Sequence, residues 1–445
     1  MIASKLKRAS FWVLLFLLTI SVSAQGQTGL SPKVYTLQEC IETALERNYQ
    51  VRSAYNSLAA ARGGMWQAWG ALLPRVESNL DYYETWAGVP RINPYTGRPY
   101  TKKATYYSAN LSINQVIFNG GYNWFNIAYQ KNSKRSAEHS FRYTKQSLIL
   151  EVKEKYFALL KAKMLLEIQR DAVKRGEEQL KVAESRYELG AASLSDVLKA
   201  KVSYGNDRLE LLNAENNYKL TQSDLNYVLN QDVNTPIEVV ETLTSPEVTY
   251  TYEGALRIAL ENNPSYRKAE YDLAGAKNLS WMAHSGWWPT LSWGVTHSAD
   301  ATTSSDLFKF KQENATYTVY ARLSFSIFEN FQRKTNVSDA KFNLRTQKEN
   351  LENTKNAVAL EIRQAFLNIE VAVEKLKLME ESVASAEEDL NLAKEKYNLG
   401  AATILELLDA EVSYKQATSS QVEALFDHNL AVSSLEKAVG KETLQ

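Results

Sequence analysis

The feature that most constrains this chain is that it is written twice. Thr36-Leu-Gln-Glu-Cys-Ile-Glu-Thr-Ala-Leu-Glu-Arg-Asn48 aligns with Thr251-Tyr-Glu-Gly-Ala-Leu-Arg-Ile-Ala-Leu-Glu-Asn-Asn263, and Leu73-Pro74 meets Trp288-Pro289 at the same offset of 215 residues. Further on the offset becomes 210: Val116-Ile-Phe118 meets Ser326-Ile-Phe328, Arg186-Tyr-Glu-Leu-Gly-Ala-Ala-Ser193 meets Lys396-Tyr-Asn-Leu-Gly-Ala-Ala-Thr403, and Tyr204 meets Tyr414. The change falls between the prolines and the phenylalanines, where the copies carry loops of different length. An internal repeat fixes the architecture before any single element is considered. The two units are expected at 25–235 and 236–445. Each reads helix, β-hairpin (about 75–118 and about 290–328), then a long helical hairpin with its turn near 190 or 400.

The helical parts carry a seven-residue period. Val152, Leu159, Leu166, Val173, Leu180 and Tyr187 form one row, and Ile362, Ile369, Leu376, Val383, Leu390 and Tyr397 form its counterpart. Small residues sit mostly three positions on: Ala162, Gly176, Ala183 and Gly190, then Ala372, Ala386, Ala393 and Gly400. A sustained period of seven demands a partner helix in a left-handed supercoil, and the small residues let the facing backbones approach. Helices from about Tyr122 to Tyr187 and Gln332 to Tyr397 would each be roughly 100 Å long at 1.5 Å per residue. Heptads alone also fit a cytosolic coiled coil; two further features point away from it.

The first is a leader at 1–24. Lys5, Lys7 and Arg8 precede the apolar run Phe11 to Ile20, and Val22-Ser23-Ala24 offers small residues for cleavage, so the protein is expected to be exported. Without those three cations the chain has 48 basic and 51 acidic residues, a net charge of −3, which supplies no basic stripe for nucleic acid. Cys40, the one cysteine, follows no apolar run and supports neither a lipid anchor nor a disulfide.

The second is a set of strands with two distinct faces. Tyr317, Val319, Ala321, Leu323, Phe325 and Ile327 alternate with Thr316, Thr318, Arg322, Ser324 and Ser326. Leu111 and Ile113 alternate with Ser108, Asn110, Ser112 and Asn114; Val76, Leu80 and Tyr82, and Leu291, Trp293 and Val295, repeat the pattern. About ten alternating residues suit a tilted membrane crossing. The stretches Ala87 to Ala104 and Asp300 to Asn314, polar or rich in turn formers, then read as extracellular loops. Aromatic residues gather where strands meet helices: Trp66, Trp69, Phe118 and Trp124 in the first copy, and Trp281, Trp287, Trp288, Phe328 and Phe331 in the second. Rings of this kind tolerate the half-wet headgroup zone. Four strands cannot close a barrel, and an open edge facing lipid would leave hydrogen bonds unmade, so several copies must share one barrel. The fold class expected is mainly α with a transmembrane β-barrel.

Ala44-Leu-Glu-Arg-Asn48 with Ala259-Leu-Glu-Asn-Asn-Pro264, Gly70-Ala-Leu-Leu-Pro74 with Ser285-Gly-Trp-Trp-Pro289, and the doubled Tyr-x-Leu-Gly-Ala-Ala-Ser/Thr turns resemble the TolC-like outer-membrane efflux family over nearly all of the mature chain. The resemblance implies a homotrimer with a shared 12-stranded barrel in the outer membrane and a helical coiled-coil tunnel in the periplasm. It implies docking to a periplasmic adaptor protein and an inner-membrane pump, with the duct passing drugs, small molecules or proteins outward. Two sites follow. The turns Leu189-Gly190-Ala191 and Leu399-Gly400-Ala401 would meet the adaptor. Glu406 and Asp409, three apart on one helix face, match acidic positions lining the periplasmic constriction; Asp196 takes the Glu406 position in the first copy, while Lys199 takes that of Asp409. Tyr397 stands where relatives place a tyrosine that bonds a neighbouring helix, but Ala402 replaces a basic residue found in some, which weakens a latch there. His139, His284, His297 and His428 form no metal-ligand spacing, and Gly120-Gly121 reads as a strand-to-helix turn rather than a phosphate loop. No cofactor and no catalysis are expected. The competing reading is a periplasmic coiled-coil adaptor or scaffold.

Overall fold

Each copy begins with a short helix whose start and stop are chemically specified. In the computed structural model, which describes residues 33–86, 91–92, 94–100, 103–240, 250–307 and 315–441, α1 spans Leu37–Arg47. The Thr36 hydroxyl accepts from the Glu39 amide (3.2 Å) and the Glu39 carboxylate accepts from the Thr36 amide (2.9 Å), a reciprocal cap. The leader expected at 1–24 lies outside the described residues. Asn48 then caps α2 (Tyr49–Gly70): its Oδ1 accepts from the Gln50 amide at 2.8 Å while its Nδ2 donates to the Val228 carbonyl at 3.1 Å. Asn263 repeats this in the second copy, accepting from the Ser265 amide and donating to the Ala438 carbonyl, both at 2.9 Å. These two buried asparagines explain the repeated Leu-Glu-x-Asn motif: each joins the start of one helix to the end of another.

The remaining elements follow the same order twice. After β1 (Lys33–Tyr35), α1 and α2 come β2 (Arg75–Trp86), the two-residue β3 (Arg91–Ile92) and β4 (Pro99–Tyr100), and β5 (Lys103–Asn119). The long hairpin is α3 (Tyr122–Glu188) and α4 (Leu194–Val228), and β6 (Ile237–Val239) pairs in parallel with β1. The second copy comprises α5 (Tyr252–Asn262), α6 (Pro264–Ser285), β7 (Thr290–Ala301), the one-turn α7 (Ser304–Leu307), β8 (Ala315–Ser324), α8 (Gln332–Asn398) and α9 (Ile404–Val439). Helices α3 and α8 have 67 residues each, roughly 100 Å. None of the described helices is long and apolar enough to cross a membrane.

One antiparallel sheet, in the order β2-β5-β7-β8, joins the two copies through β5 and β7. The register places Val76 opposite Ile113, Ile113 opposite Val295 and Val295 opposite Val319, so one face is a band of apolar side chains. The other face aligns Ser112, Thr296 and Thr318. Strand β8 stops at Ser324, earlier than the alternation through Ile327 suggests. Arg333 explains the stop: its guanidinium donates to the Ser326 carbonyl and packs over the Phe325 and Trp287 rings at 5.1 and 5.6 Å, turning the chain into α8. Strands β2 and β8 have one sheet neighbour each, so the sheet ends in two open edges.

The densest core lies where the hairpin roots meet the short helices. Val152, Tyr156, Leu159 and Leu225 pack with Cys40, Ile41 and Ala44, and the Tyr156 hydroxyl donates to the Tyr35 carbonyl at 3.3 Å. The second copy builds the same arrangement from Ile362, Leu435, Ala255 and Ala259. The seven-residue rows are buried at their roots (Leu159, Leu166, Ile362, Ile369, Leu376); towards the tips the first opens, with Tyr187 exposed, while the second closes again on the buried Tyr397.

Candidate functional site

Both hairpin tips reverse in the same way. At the first, the Gly190 amide donates to the Tyr187 carbonyl (2.9 Å) and the Ala191 amide to the Arg186 carbonyl (2.7 Å); at the second, Gly400 donates to Tyr397 (3.1 Å) and Ala401 to Lys396 (2.8 Å). This paired bonding uses up the last helical carbonyls and requires a left-handed residue. Gly190 and Gly400 meet the requirement at φ +73° and +75°. No atom lies within 4 Å of where a side chain would begin at either, and Leu189 and Leu399 are more than four-fifths exposed. Each tip is therefore a rigid turn carrying one leucine into solvent.

The helices leaving the turns are capped by the acidic residues that the sequence singles out. The Ser193 hydroxyl donates to the Asp196 carboxylate at 2.8 Å, and the Ser193 amide does so at 3.0 Å. These two bonds, side chain first, hold the Asp196 pKa below the usual aspartate value. Glu406 has the matching place: its amide donates to the Thr403 hydroxyl (3.3 Å), which donates back to its carboxylate (3.2 Å). Glu406 and Asp409 are exposed on α9, and Leu407, Leu408 and Ala410 point the other way into a small core with Tyr397, Ile404 and Ala393. Tyr397 is thus buried within its own hairpin, apart from the two carboxylates.

Two contacts between the hairpins were not legible in the sequence. Arg186 of α3 donates to the carbonyls of Tyr397 (2.8 Å) and Asn398 (3.1 Å), and its guanidinium lies 4.4 Å from the Tyr397 ring centre. It joins the tips where Ala402 offers no bond. About three turns deeper, Lys415 of α9 bonds Asp207 (2.9 Å) and Glu210 (2.8 Å) of α4. Burial opposes the Lys415 ammonium, yet the bonds from Glu210 and Asp207 prevail and raise its pKa. The only sequence signal for either contact is a charged residue on a heptad flank, which reads as ordinary surface.

The aromatic residues named from the sequence gather at the end of the sheet that joins the helices. Trp69, Phe118, Trp124, Trp287, Trp288 and Phe328 are each between 44% and 68% exposed, as are many apolar side chains of the sheet's outer face. Trp66, Trp281 and Phe331 are also exposed, and Trp281 stacks on Phe125 with ring centres 5.8 Å apart. Among the described residues no group of three histidines, cysteines or carboxylates could hold a metal ion.

A two-faced antiparallel sheet with open edges, set on helical hairpins whose longer arms are roughly 100 Å, defines one protomer of a shared outer-membrane channel with a helical tunnel. The chain belongs to the outer membrane efflux protein family, whose model matches it twice, over residues 40–231 and 255–441. It is 24% identical over 430 residues to the outer membrane protein TolC of Vibrio cholerae serotype O1, covering 95% of each chain, and 23% identical over 436 residues to that of Escherichia coli K12, covering 95% of this chain and 85% of that one. Its fold matches the Campylobacter jejuni CmeC outer membrane channel with a TM-score of 0.82 at 18% identity, over 91% of this chain and 85% of that one. The Vibrio cholerae outer membrane protein VceC gives 0.78 at 18% identity, over 91% and 96%. The protein is an outer-membrane efflux channel, and the adaptor reading is not favoured.

Proposed function

We propose that three copies of this chain, each made of units 25–235 and 236–445 behind a cleaved leader, form a passive exit duct. A periplasmic adaptor and an inner-membrane pump would supply the energy and choose the cargo, and the chain itself would catalyse no reaction. The observation that carries this is the sheet: strands alternate in direction across β2-β5-β7-β8, so β8 of one copy can pair antiparallel with β2 of the next. Three such sheets make a barrel of twelve strands with the apolar band facing lipid, a form in which every edge is paired. In this assembly Leu189-Gly190-Ala191 and Leu399-Gly400-Ala401 form the rim that meets the adaptor. Glu406 and Asp409, exposed near that rim, line the constriction together with Asp196 and above the Tyr397 core. Trp69, Phe118, Trp124, Trp287, Trp288 and Phe328 form the aromatic belt. The test is fractionation followed by electrophysiology: a heat-modifiable oligomer in the outer membrane that opens ion-conducting pores in planar bilayers supports the duct. A soluble periplasmic monomer overturns it.

A further inference from the structure

Where α9 lies against α3 and α4, the hairpins meet through a carboxyl and an amide. The Gln179 side chain of α3 donates from Nε2 to Oε1 of Glu411 on α9, while Gln179 Oε1 is buried and meets no donor. A carboxylate offers acceptors only, so an ionised Glu411 leaves that amide oxygen unsatisfied; a protonated carboxyl supplies the one O–H that is missing. Exchanging the amide oxygen and nitrogen does not remove the need, because the amide oxygen would then face Oε1 of Glu411 and could accept only from a protonated carboxyl. Glu411 belongs to the second copy alone: its counterpart 210 residues earlier is Lys201.

We propose that Gln179 and Glu411 form a proton-held clamp between the two hairpins, closed as an acid–amide pair and released when the carboxyl ionises. On balance the surroundings act in the same direction. Burial is the largest influence and raises the Glu411 pKa; Arg175 of α3 lowers it, Asp207 of α4 raises it, and the Gln179 bond and Lys394 of α8 lower it, leaving it at about 7 instead of 4.5. Lys415 is the nearest cation on α9, but its ammonium is held by Asp207 and Glu210. Beside the pair opens a cavity of about 400 Å³, lined by Glu178, Glu387, Tyr397 and Tyr414 among others, which gives water a route to the carboxyl and the helices room to part.

The sign follows from the two states. With the hairpins apart, Glu411 faces water and titrates near 4.5; with them docked it holds its proton up to about 7. Docking is therefore fully favoured below the ordinary glutamate range and weakens as pH rises through about 7, by roughly three-hundredfold per protomer. The pair itself stands apart from the exit-duct reading, and only its consequence for channel opening rests on that reading.

The test uses the full-length protein solubilised as purified, and compares it with Glu411→Gln, whose amide keeps one donor and one acceptor at every pH. Infrared difference spectra should show a protonated-carboxyl band that disappears with a midpoint near pH 7, absent from the variant. Hydrogen exchange, corrected for intrinsic rates, should show α3 around Gln179 and the first turns of α9 losing protection across the same midpoint, with protection constant in Glu411→Gln. A wild type without that titrating band overturns the proposal. So does protection that falls equally in the variant, or a band that titrates while protection stays fixed. None of these readouts measures transport, so failure of the duct reading would register separately.

Discussion

Replacing Gly190 and Gly400 together by valine isolates the tips from the rest of the fold. Both glycines sit at φ near +75° with open space where a side chain would begin, so the cost is conformational rather than steric. A non-glycine residue in this region costs about 1–2 kcal/mol, more when β-branched. If the turn yields, the two amide–carbonyl bonds at each tip go as well, about 1 kcal/mol apiece. The perturbation is then about 3–4 kcal/mol per tip, confined to an exposed turn remote from the root cores. Thermal melting and the yield of heat-resistant oligomer should stay near wild type, while dye efflux in a strain lacking the native protein should be abolished. Asparagine, which tolerates the left-handed region, should preserve efflux at both positions. Gly120 provides the contrast: at φ +66° an added Cβ would lie 2.4 Å from the Ser285 carbonyl oxygen and 2.9 Å from Trp288 Cβ. Gly120→Ala should therefore fail at barrel assembly, before any question of efflux. A valine double variant with full oligomer and unimpaired efflux would refute the assignment of the tips as the docking rim.

Four further outcomes follow from the contacts described. Arg186→Ala removes two charged hydrogen bonds worth about 1.5–3 kcal/mol each when buried, and less at this half-exposed tip, so single-channel conductance should rise; unchanged conductance would count against Arg186 as the tie between tips. Glu406→Ala with Asp409→Ala should shift the reversal potential under a salt gradient away from cation preference, and an unmoved potential would exclude them from the pore lining. Lys415→Met leaves the largely buried Asp207 without its cation, and should lower the unfolding free energy by about 1–3 kcal/mol in denaturant titration. The Asp196 cap has a depressed pKa, so its contribution is present above the ordinary aspartate value and lost as pH falls through the lower folded one; Asp196→Asn should flatten that acid limb of α4 exchange protection.

How much of this was legible depended on whether the signal was periodic. The heptad rows placed α3 and α8 and their turns, and Leu159, Leu166, Ile362 and Ile369 are buried as the period requires. Alternation assigned the sheet faces, but it ran on to Ile327, because nothing in the pattern shows that Arg333 will bind the Ser326 carbonyl and end the strand at Ser324. Asn48 and Asn263 were visible as a motif, while their role as ties to Val228 and Ala438 was not. Arg186 and Glu411 were missed for the same reason. A period describes one helix and its partner, and these residues act between hairpins, where the relative rotation decides who meets whom. The duplication itself misleads here: positions related by 210 residues share a backbone setting yet hold glutamate at 411 and lysine at 201.

The two flanks of the protomer carry the argument for assembly beyond the sheet. On α4, Leu198, Val202, Leu209, Leu212 and Leu220 are all more than half exposed; at about 100° per residue they fall within roughly 80° of one helix face. On α8, Leu360, Leu367, Val371, Leu378 and Leu392 are exposed and share a face by the same count. Within the protomer the hairpins meet through α9 against α3 and α4, so these stripes lie on the hairpins' remaining surfaces. Two unpartnered apolar stripes and two unpaired strand edges on one chain are all satisfied if α8 and β8 of one copy meet α4 and β2 of the next. Leu209→Lys with Leu212→Lys tests this directly. Each leucine withdrawn from water contributes about 1.5–3 kcal/mol, so the pair removes about 3–6 kcal/mol from each interface between copies. Sedimentation in detergent should show monomers whose far-ultraviolet dichroism retains the helical hairpins. A double-lysine variant that keeps the oligomeric state and heat resistance of the wild type would mean that the α4 stripe faces something other than a neighbouring copy.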